Sequence, residues 1–230
     1  MNIIIIGGSR GIGKAAAKEL IRDGHRVLLT GRDVETLRKT KEELQSDTLI
    51  FSIDAAKPDS AKKLRAYAEQ EDFSPDGLIL NAAKFPDRQT QRSVLKPSPE
   101  ELLAILDSNV VAHYRMVQEF LPELKKGSKV VIIGSTSGIR QDKGGIYGIS
   151  KWALRSFAYN LREEAKSYNI GVSLIHPGGT FTEVRAKQGE EDTSLLETSD
   201  LGILIATVFR LSRQAVVEEL YVRPIIGDTY

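Results

Sequence analysis

Asn2-Ile3-Ile4-Ile5-Ile6-Gly7-Gly8-Ser9-Arg10-Gly11-Ile12-Gly13-Lys14-Ala15-Ala16-Ala17 follows the first methionine and decides the fold. Four consecutive isoleucines, stopped by Gly-Gly, form the short unbroken apolar run expected of a strand covered on both faces. The glycines let the backbone turn sharply, and the lysine and three alanines that follow favour a helix. The same alternation of apolar run and amphipathic segment continues along the chain. It predicts strands at Asn2–Ile6, Arg26–Thr30, Leu49–Ile53, Gly77–Leu80, Lys129–Ile133, Val172–Ile175 and Glu219–Val222. Helices are predicted at Gly11–Arg22, Val34–Gln45, Asp59–Glu71, Pro99–Leu124, Gly145–Tyr168 and Ser199–Ser212. Strands alternating with helices imply an α/β fold, a doubly wound and mainly parallel seven-stranded sheet with helices on both faces. No repeat, linker or low-complexity segment divides residues 1–230, so one domain is expected.

Composition narrows the class. The 230 residues are 41% hydrophobic and 27% charged, ordinary values for a soluble globular chain. A formal charge of +1 gives no electrostatic reason for a nucleic-acid partner or an anionic membrane. With no cysteine, thiolate metal sites, disulfides and cysteine nucleophiles are excluded. The isoleucine run is too short for a secretory segment, and Leu201–Phe209 falls far below a membrane span. A cytoplasmic, unprocessed protein is the expectation. Ser98-Pro99-Glu100-Glu101 provides a serine cap, a proline in the first turn and an acid three residues after the cap. Segments 84–98 and 178–198 resist assignment and follow predicted strands at their carboxyl ends. Open α/β sheets bind ligands there, so these segments are expected to wall a substrate site, with plain surface insertion as the alternative.

The glycine turn has a chemical use. A strand that ends in Gly7-x-x-x-Gly11-x-Gly13 and passes into a helix brings backbone N–H groups and a positive dipole end close to a pyrophosphate. A second register, Gly11-Ile12-Gly13-Lys14-Ala15-Ala16, also fits a dinucleotide pattern but starts too late, since the turn leaves the strand at Gly7. The second strand separates the two nicotinamide cofactors. An acid at its end would bind the ribose 2′-hydroxyl of NAD. Here Gly31 stands at that place, and Arg32 follows it, able to pair with a 2′-phosphate. Arg10 can approach from the glycine turn, while Asp33 suits the cap of the next helix. NADP(H) is the cofactor implied.

Tyr147-Gly148-Ile149-Ser150-Lys151 carries the chemistry. Residues four apart on a helix share a face, so the phenol and ammonium address one site. A free tyrosine, with a pKa of about 10, is a poor base at neutral pH, and a nearby cation favours its phenolate. With Ser135-Thr136-Ser137-Gly138 twelve positions upstream, the chain resembles the short-chain dehydrogenase/reductase family from Ile3 to about Val222. That resemblance implies a Rossmann-like domain that moves a hydride between NADP(H) and a small carbonyl or alcohol. Tyr147 would deliver or take the proton, and Lys151 would tune it and hold the nicotinamide ribose. Ser135 would hold the substrate oxygen. It is chosen because the family serine lies three residues before a glycine, with Thr136 and Ser137 as alternatives. Asn109 completes the family tetrad as a support for proton return.

The family also places cofactor contacts at Gly7, Ser9, Arg10, Gly11, Ile12, Gly13, Arg32, Asp54, Asn81 and Ala82. Further contacts fall on Pro177, Gly178, Thr180 and Thr182. Leu80 and Ala83 depart from the Asn-Asn-Ala-Gly motif around Asn81, and Ile6 replaces a usual threonine. A homodimer or homotetramer is implied as well, and no metal. His25, His113 and His176 show no ligand spacing and read as surface or locally bonded residues. Lys84, Arg88, Arg92, Lys96, Arg140 and Lys143 would suit an anionic substrate, or are solvated loop charges. A nucleotide-binding sensor or scaffold on the same fold is the competing reading.

Overall fold

The isoleucine run sends its side chains to two interiors. Ile4 and Ile6 join one buried cluster, Ile3 and Ile5 another, and all four are fully buried. Each such side chain adds about 1.5–3 kcal/mol by leaving water, and here all four do so rather than every second one. In the computed structural model, which describes residues 1–87, 90, 93–140, 144–183 and 195–227, these clusters lie on opposite faces of one sheet.

The elements are β1 (Asn2–Ile6), α1 (Gly11–Arg22), β2 (Arg26–Gly31), α2 (Val34–Leu44), β3 (Leu49–Ser52), α3 (Ser60–Gln70) and β4 (Gly77–Leu80). After them come α4 (Pro99–Leu106), α5 (Ala112–Phe120), β5 (Lys129–Ile133), α6 (Gly145–Ala165) and β6 (Gly171–Pro177). A two-residue pair, β7 (Thr180–Phe181) and β8 (Leu196–Glu197), precedes α7 (Thr198–Arg210) and β9 (Glu219–Val222). The seven long strands pair in the order β3-β2-β1-β4-β5-β6-β9, every pair parallel. The order reverses between β1 and β4, and a crevice at such a switch point is where open α/β sheets bind ligands. The glycine turn leaves β1 there, and Asn81 leaves β4 beside it.

Local chemistry explains several boundaries. The Asp33 side chain accepts from the Thr36 N–H at 2.6 Å and starts α2, as its position after β2 suggested. Ser98 accepts from Glu101 N–H at 3.2 Å and starts α4. Two expectations change. The single helix over Pro99–Leu124 is instead α4, a π-helical turn at Asp107–Val111, α5, and a 3₁₀ turn at Leu121–Glu123 where Pro122 has no N–H to continue the ladder. The 178–198 segment, expected without regular structure, contains the parallel β7–β8 pair among its described residues. No helix of the described residues is long and apolar enough to cross a membrane.

Candidate active site

The glycine turn is shaped by contacts that no side chain would fit. Gly7 has φ +85°, and a Cβ there would lie 2.8 Å from the Ala82 backbone. A Cβ on Gly13 would lie 2.2 Å from the Gly7 carbonyl oxygen. Asn81 fixes that same oxygen, donating from Nδ2 at 2.6 Å. Asn81 therefore ties the end of β4 to the turn after β1, and Ala82 packs against it.

Thr30 ties the start of the turn to β2. Its Oγ1 accepts from Gly7 N–H at 3.3 Å, and its carbonyl accepts from Gly8 N–H at 2.8 Å. At the end of β2 a Cβ on Gly31 would meet Ser9 Oγ at 2.9 Å, so the place of an acidic side chain is closed by Ser9 itself. Arg10, the N-cap residue of α1, and Arg32 are both exposed at this corner, and Ile12 lies half-buried in the first turn of α1. Asp33 senses the Arg10 charge, but its carboxyl is held below the usual range first by hydrogen bonds from Thr36. Asp54, half-buried after β3, accepts from Ala56 N–H at 3.1 Å through Oδ1.

The segment after β6 reaches over this turn. Pro177 ends the strand, and Gly178 N–H donates to the Val222 carbonyl at 2.7 Å. Thr180 is buried, its Oγ1 donating to the Gly178 carbonyl at 3.0 Å. The Thr182 methyl lies 3.5 Å from where a Gly11 Cβ would be. Glu183 Oε2 accepts from Gly11 N–H at 2.8 Å. A carboxylate of the chain thus sits at the N-terminal end of α1, where a pyrophosphate would be drawn by the same donors.

The tetrad converges on the sheet's carboxyl edge one strand away. Ser135, just past β5, has extended backbone, and its Oγ accepts from Ser137 N–H at 3.1 Å, which leaves the hydroxyl hydrogen to donate. Residues Thr136–Gly138 form a 3₁₀ turn pressed against α6, and a Cβ on Gly138 would meet the Lys151 carbonyl oxygen at 2.8 Å. Gly138 is what allows that contact. Tyr147 is half-buried in the first turns of α6, its ring stacked on Phe85 with centroids 4.8 Å apart.

Lys151 is 1% exposed, and its Nζ donates to the Ile133 carbonyl at 3.0 Å and lies 5.5 Å from the Tyr147 ring centroid. Burial lowers its pKa to about 7. Asn109 is fully buried in the π turn. Its Oδ1 accepts from Lys84 N–H at 2.7 Å, and its Nδ2 donates to the Lys84 carbonyl and to Ser150 Oγ, both at 3.0 Å. That side chain clamps the start of the 84–98 segment to α6. Single π turns of this kind concentrate at functional sites.

A family model described as short chain dehydrogenase matches residues 1–193. The chain belongs to the short-chain dehydrogenase family. Carbonyl reductase family member 4 of Danio rerio is 31% identical over 191 residues, 82% of this chain and 79% of the relative. The NADP-dependent 3-hydroxy acid dehydrogenase YdfG of Escherichia coli K12 is 27% identical over 239 residues, covering 98% of this chain and 95% of its own. The crystal structure of an alcohol dehydrogenase from the archaeon Thermococcus sibiricus, complexed with 5-hydroxy-NADP, superimposes with a TM-score of 0.88 at 23% identity. The match covers 100% of this chain and 98% of that one.

Around this dehydrogenase site the structure adds residues that the sequence did not single out. Phe85 and Glu183 carry no motif, and their partners are distant in sequence; Ser150 lies within the Tyr147–Lys151 motif, but its bond from Asn109 spans 41 positions. Neither His113 nor His176 is a surface residue, both being fully buried, and His176 is hydrogen-bonded at both ring nitrogens. Burial drives His113 down to about 3, so that ring is neutral. Of the basic residues, Lys84 and Lys96 are exposed and Arg140 half-buried, while Arg88, Arg92 and Lys143 lie outside the described residues. Among the described residues no group of three His, Cys, Asp or Glu is arranged to hold a metal.

Proposed function

We propose that this dehydrogenase interconverts a carbonyl and an alcohol on a small molecule with NADP(H), using Tyr147 as the acid/base. The observation that carries the reading is the buried Lys151 amine beside the Tyr147 ring, with the Ser135 turn packed on the same helix. In its protonated form that amine favours the phenolate and brings the tyrosine toward a working pKa. Ser135 donates to the substrate oxygen as charge builds on it. Lys151 also orients the cofactor ribose. Asn109 holds its turn and the Lys84 segment in place, and its widened helical turn supports return of protons from solvent. The described residues of segments 84–98 and 178–198 wall the substrate within a single domain, while 88, 89, 91, 92 and 184–194 lie outside the described residues.

The cofactor residues fit a dinucleotide carrying a 2′-phosphate. Gly7 and Gly13 let the turn pack closely on Ala82, Asn81 and its own backbone, so that β1 passes directly into the N-terminal end of α1. Gly31 removes the acid that would select NAD, and Arg10 and Arg32 offer two cations at that corner. When bound, NADP(H) supplies or accepts the hydride. The name of the E. coli relative, which specifies NADP dependence, supports the same preference.

The deciding experiment is calorimetric titration of NADPH and NADH into wild type and Arg32→Ala, followed by a screen of aldehydes, ketones and 3-oxo acids with NADPH. Arg32→Ala is expected to weaken NADPH about tenfold and leave NADH unchanged, because only one of two guanidinium partners of an exposed phosphate is lost. Stronger binding of NADH than NADPH by the wild type would refute the cofactor assignment.

Glu183 gives a second expected result. Its carboxylate must leave Gly11 N–H before the pyrophosphate can take that donor, so it opposes binding. An anion at a helix N-terminus contributes about 0.3–1 kcal/mol, so Glu183→Ala should tighten NADPH about two- to fivefold. An unchanged or larger dissociation constant in the same titration would show that the carboxylate does not compete.

A further inference from the structure

Behind Ser135 lies a polar cluster that the proposed chemistry does not use. His176, next to last in β6, is fully buried, with Nδ1 2.9 Å from the Ser135 carbonyl oxygen and Nε2 2.8 Å from Glu219 Oε1 on β9. Tyr221 lies flat on the imidazole, centroids 5.1 Å apart and planes 6° from parallel. The ring has room because residue 134 is glycine: a Cβ there would stand 2.7 Å from Nδ1. Glu219 in turn accepts from Arg155 Nε at 3.0 Å and from the Tyr159 hydroxyl at 2.9 Å, both on α6. Burial pushes the Glu219 carboxyl up, but donors from Tyr221, Tyr159, His176 and Arg155 outweigh it and hold the pKa at about 2. Glu219 is therefore a fixed anion, held by donors from α6, β6 and β9.

Polar groups this deep cost stability unless each finds a partner, and here both ring nitrogens do. The Ser135 carbonyl accepts from Gly138 N–H at 2.9 Å within its own turn, and the ring addresses its second lone pair. Both neighbours of the ring are acceptors. A neutral imidazole has one N–H to give, whereas the imidazolium has two. A carboxylate oxygen at 2.8 Å and a carbonyl oxygen at 2.9 Å can only accept, so the ring satisfies both when both nitrogens carry protons; burial opposes that charge, and the bonds to Ser135 and Glu219 favour it.

We infer that His176, oriented by Glu219, is a positioning residue that donates from Nδ1 to the Ser135 carbonyl and so sets the direction of the serine hydroxyl. The inference rests on Ser135 being the serine that meets the substrate oxygen. His176 itself touches neither substrate nor cofactor.

The first test needs no variant. Long-range ¹⁵N–¹H spectra of the ¹⁵N-labelled protein, which has three histidines, report the protonation of each ring nitrogen. A protonated Nδ1 on His176 is expected, and a bare Nδ1 overturns the inference. The second compares His176→Leu, His176→Asn and Ser135→Ala on the carbonyl compound selected by the NADPH screen. An asparagine amide can take the place of the Nδ1 donor, and leucine cannot. His176→Leu should lower kcat about tenfold to a hundredfold with the NADPH dissociation constant unchanged, since small misplacements of a reacting group cost that much. His176→Asn should recover most of it. Equal losses in the two variants, or wild-type kcat in His176→Leu with Ser135→Ala inactive, would refute the positioning role. Wild-type kcat in Ser135→Ala would instead refute the assignment of Ser135 itself.

Discussion

Tyr147→Phe is expected to lower kcat about 1,000-fold while NADPH binds within about twofold of wild type, as loss of a general acid/base without loss of the cofactor site requires. The substitution removes one oxygen and keeps the ring. The ring is what stacks on Phe85 and lies 5.5 Å from the Lys151 amine, so packing around the site should survive. On the proposed mechanism the hydroxyl exchanges a proton with the substrate, and neither Ser135 nor Lys151 would take over that task at the same position. Steady-state rates and calorimetric binding on one preparation test both halves together. Residual activity above about a tenth would assign the proton transfer elsewhere, because such contributions are typically 10²–10⁴-fold. A wild type that binds NADPH but turns over no carbonyl, with Tyr147→Phe indistinguishable from it, would favour the sensor or scaffold reading.

Much of this site is visible in the sequence because its chemistry is local. The glycine turn, the Tyr147–Lys151 spacing and the caps at Asp33 and Ser98 all depend on neighbours within a few residues, and the structure places them as read. The strands were legible for a related reason. Runs such as Ile3–Ile6 and Val130–Ile133 are apolar on both faces, and only a strand between two helical layers can bury them. What was not legible depends on distance along the chain or on burial. Asn109-Val110-Val111 reads as ordinary helix, and the π turn follows from the clamp on Lys84 and Ser150. His176 shows no spacing because its partners lie 41 positions before it and 43 after it. Glu183 meets Gly11 across 172 positions. The two-residue strands β7 and β8 are too short to have a period.

The charge of Lys151 is likewise a property of burial, and it leads to the second large expected effect. Lys151→Met should abolish turnover, by about 1,000-fold or more, and yet make the folded protein more stable at neutral pH. Two demands act on this amine. The proposed catalysis needs a cation beside Tyr147, whereas a site 1% exposed disfavours any charge and lowers the folded pKa to about 7. The unfolded chain keeps the ordinary lysine value of about 10.4. Between these two pH values the unfolded chain binds more protons than the folded one, so stability rises with pH across that window. Below about 7 both forms are protonated, and the cost of the buried charge is fully present. At about 1.4 kcal/mol per pH unit the displacement amounts to ~4–5 kcal/mol. The lost hydrogen bond to the Ile133 carbonyl and imperfect packing of the methionine reduce the expected gain to about 2 kcal/mol. Urea unfolding of both proteins at pH 7 and pH 9 tests this. Wild type should gain stability between the two, while Lys151→Met should show no such rise from this site. Lower stability of Lys151→Met at pH 7 would mean that the Ile133 bond outweighs the cost of burying the charge. The lysine would then be held by the fold, rather than kept for catalysis at the fold's expense.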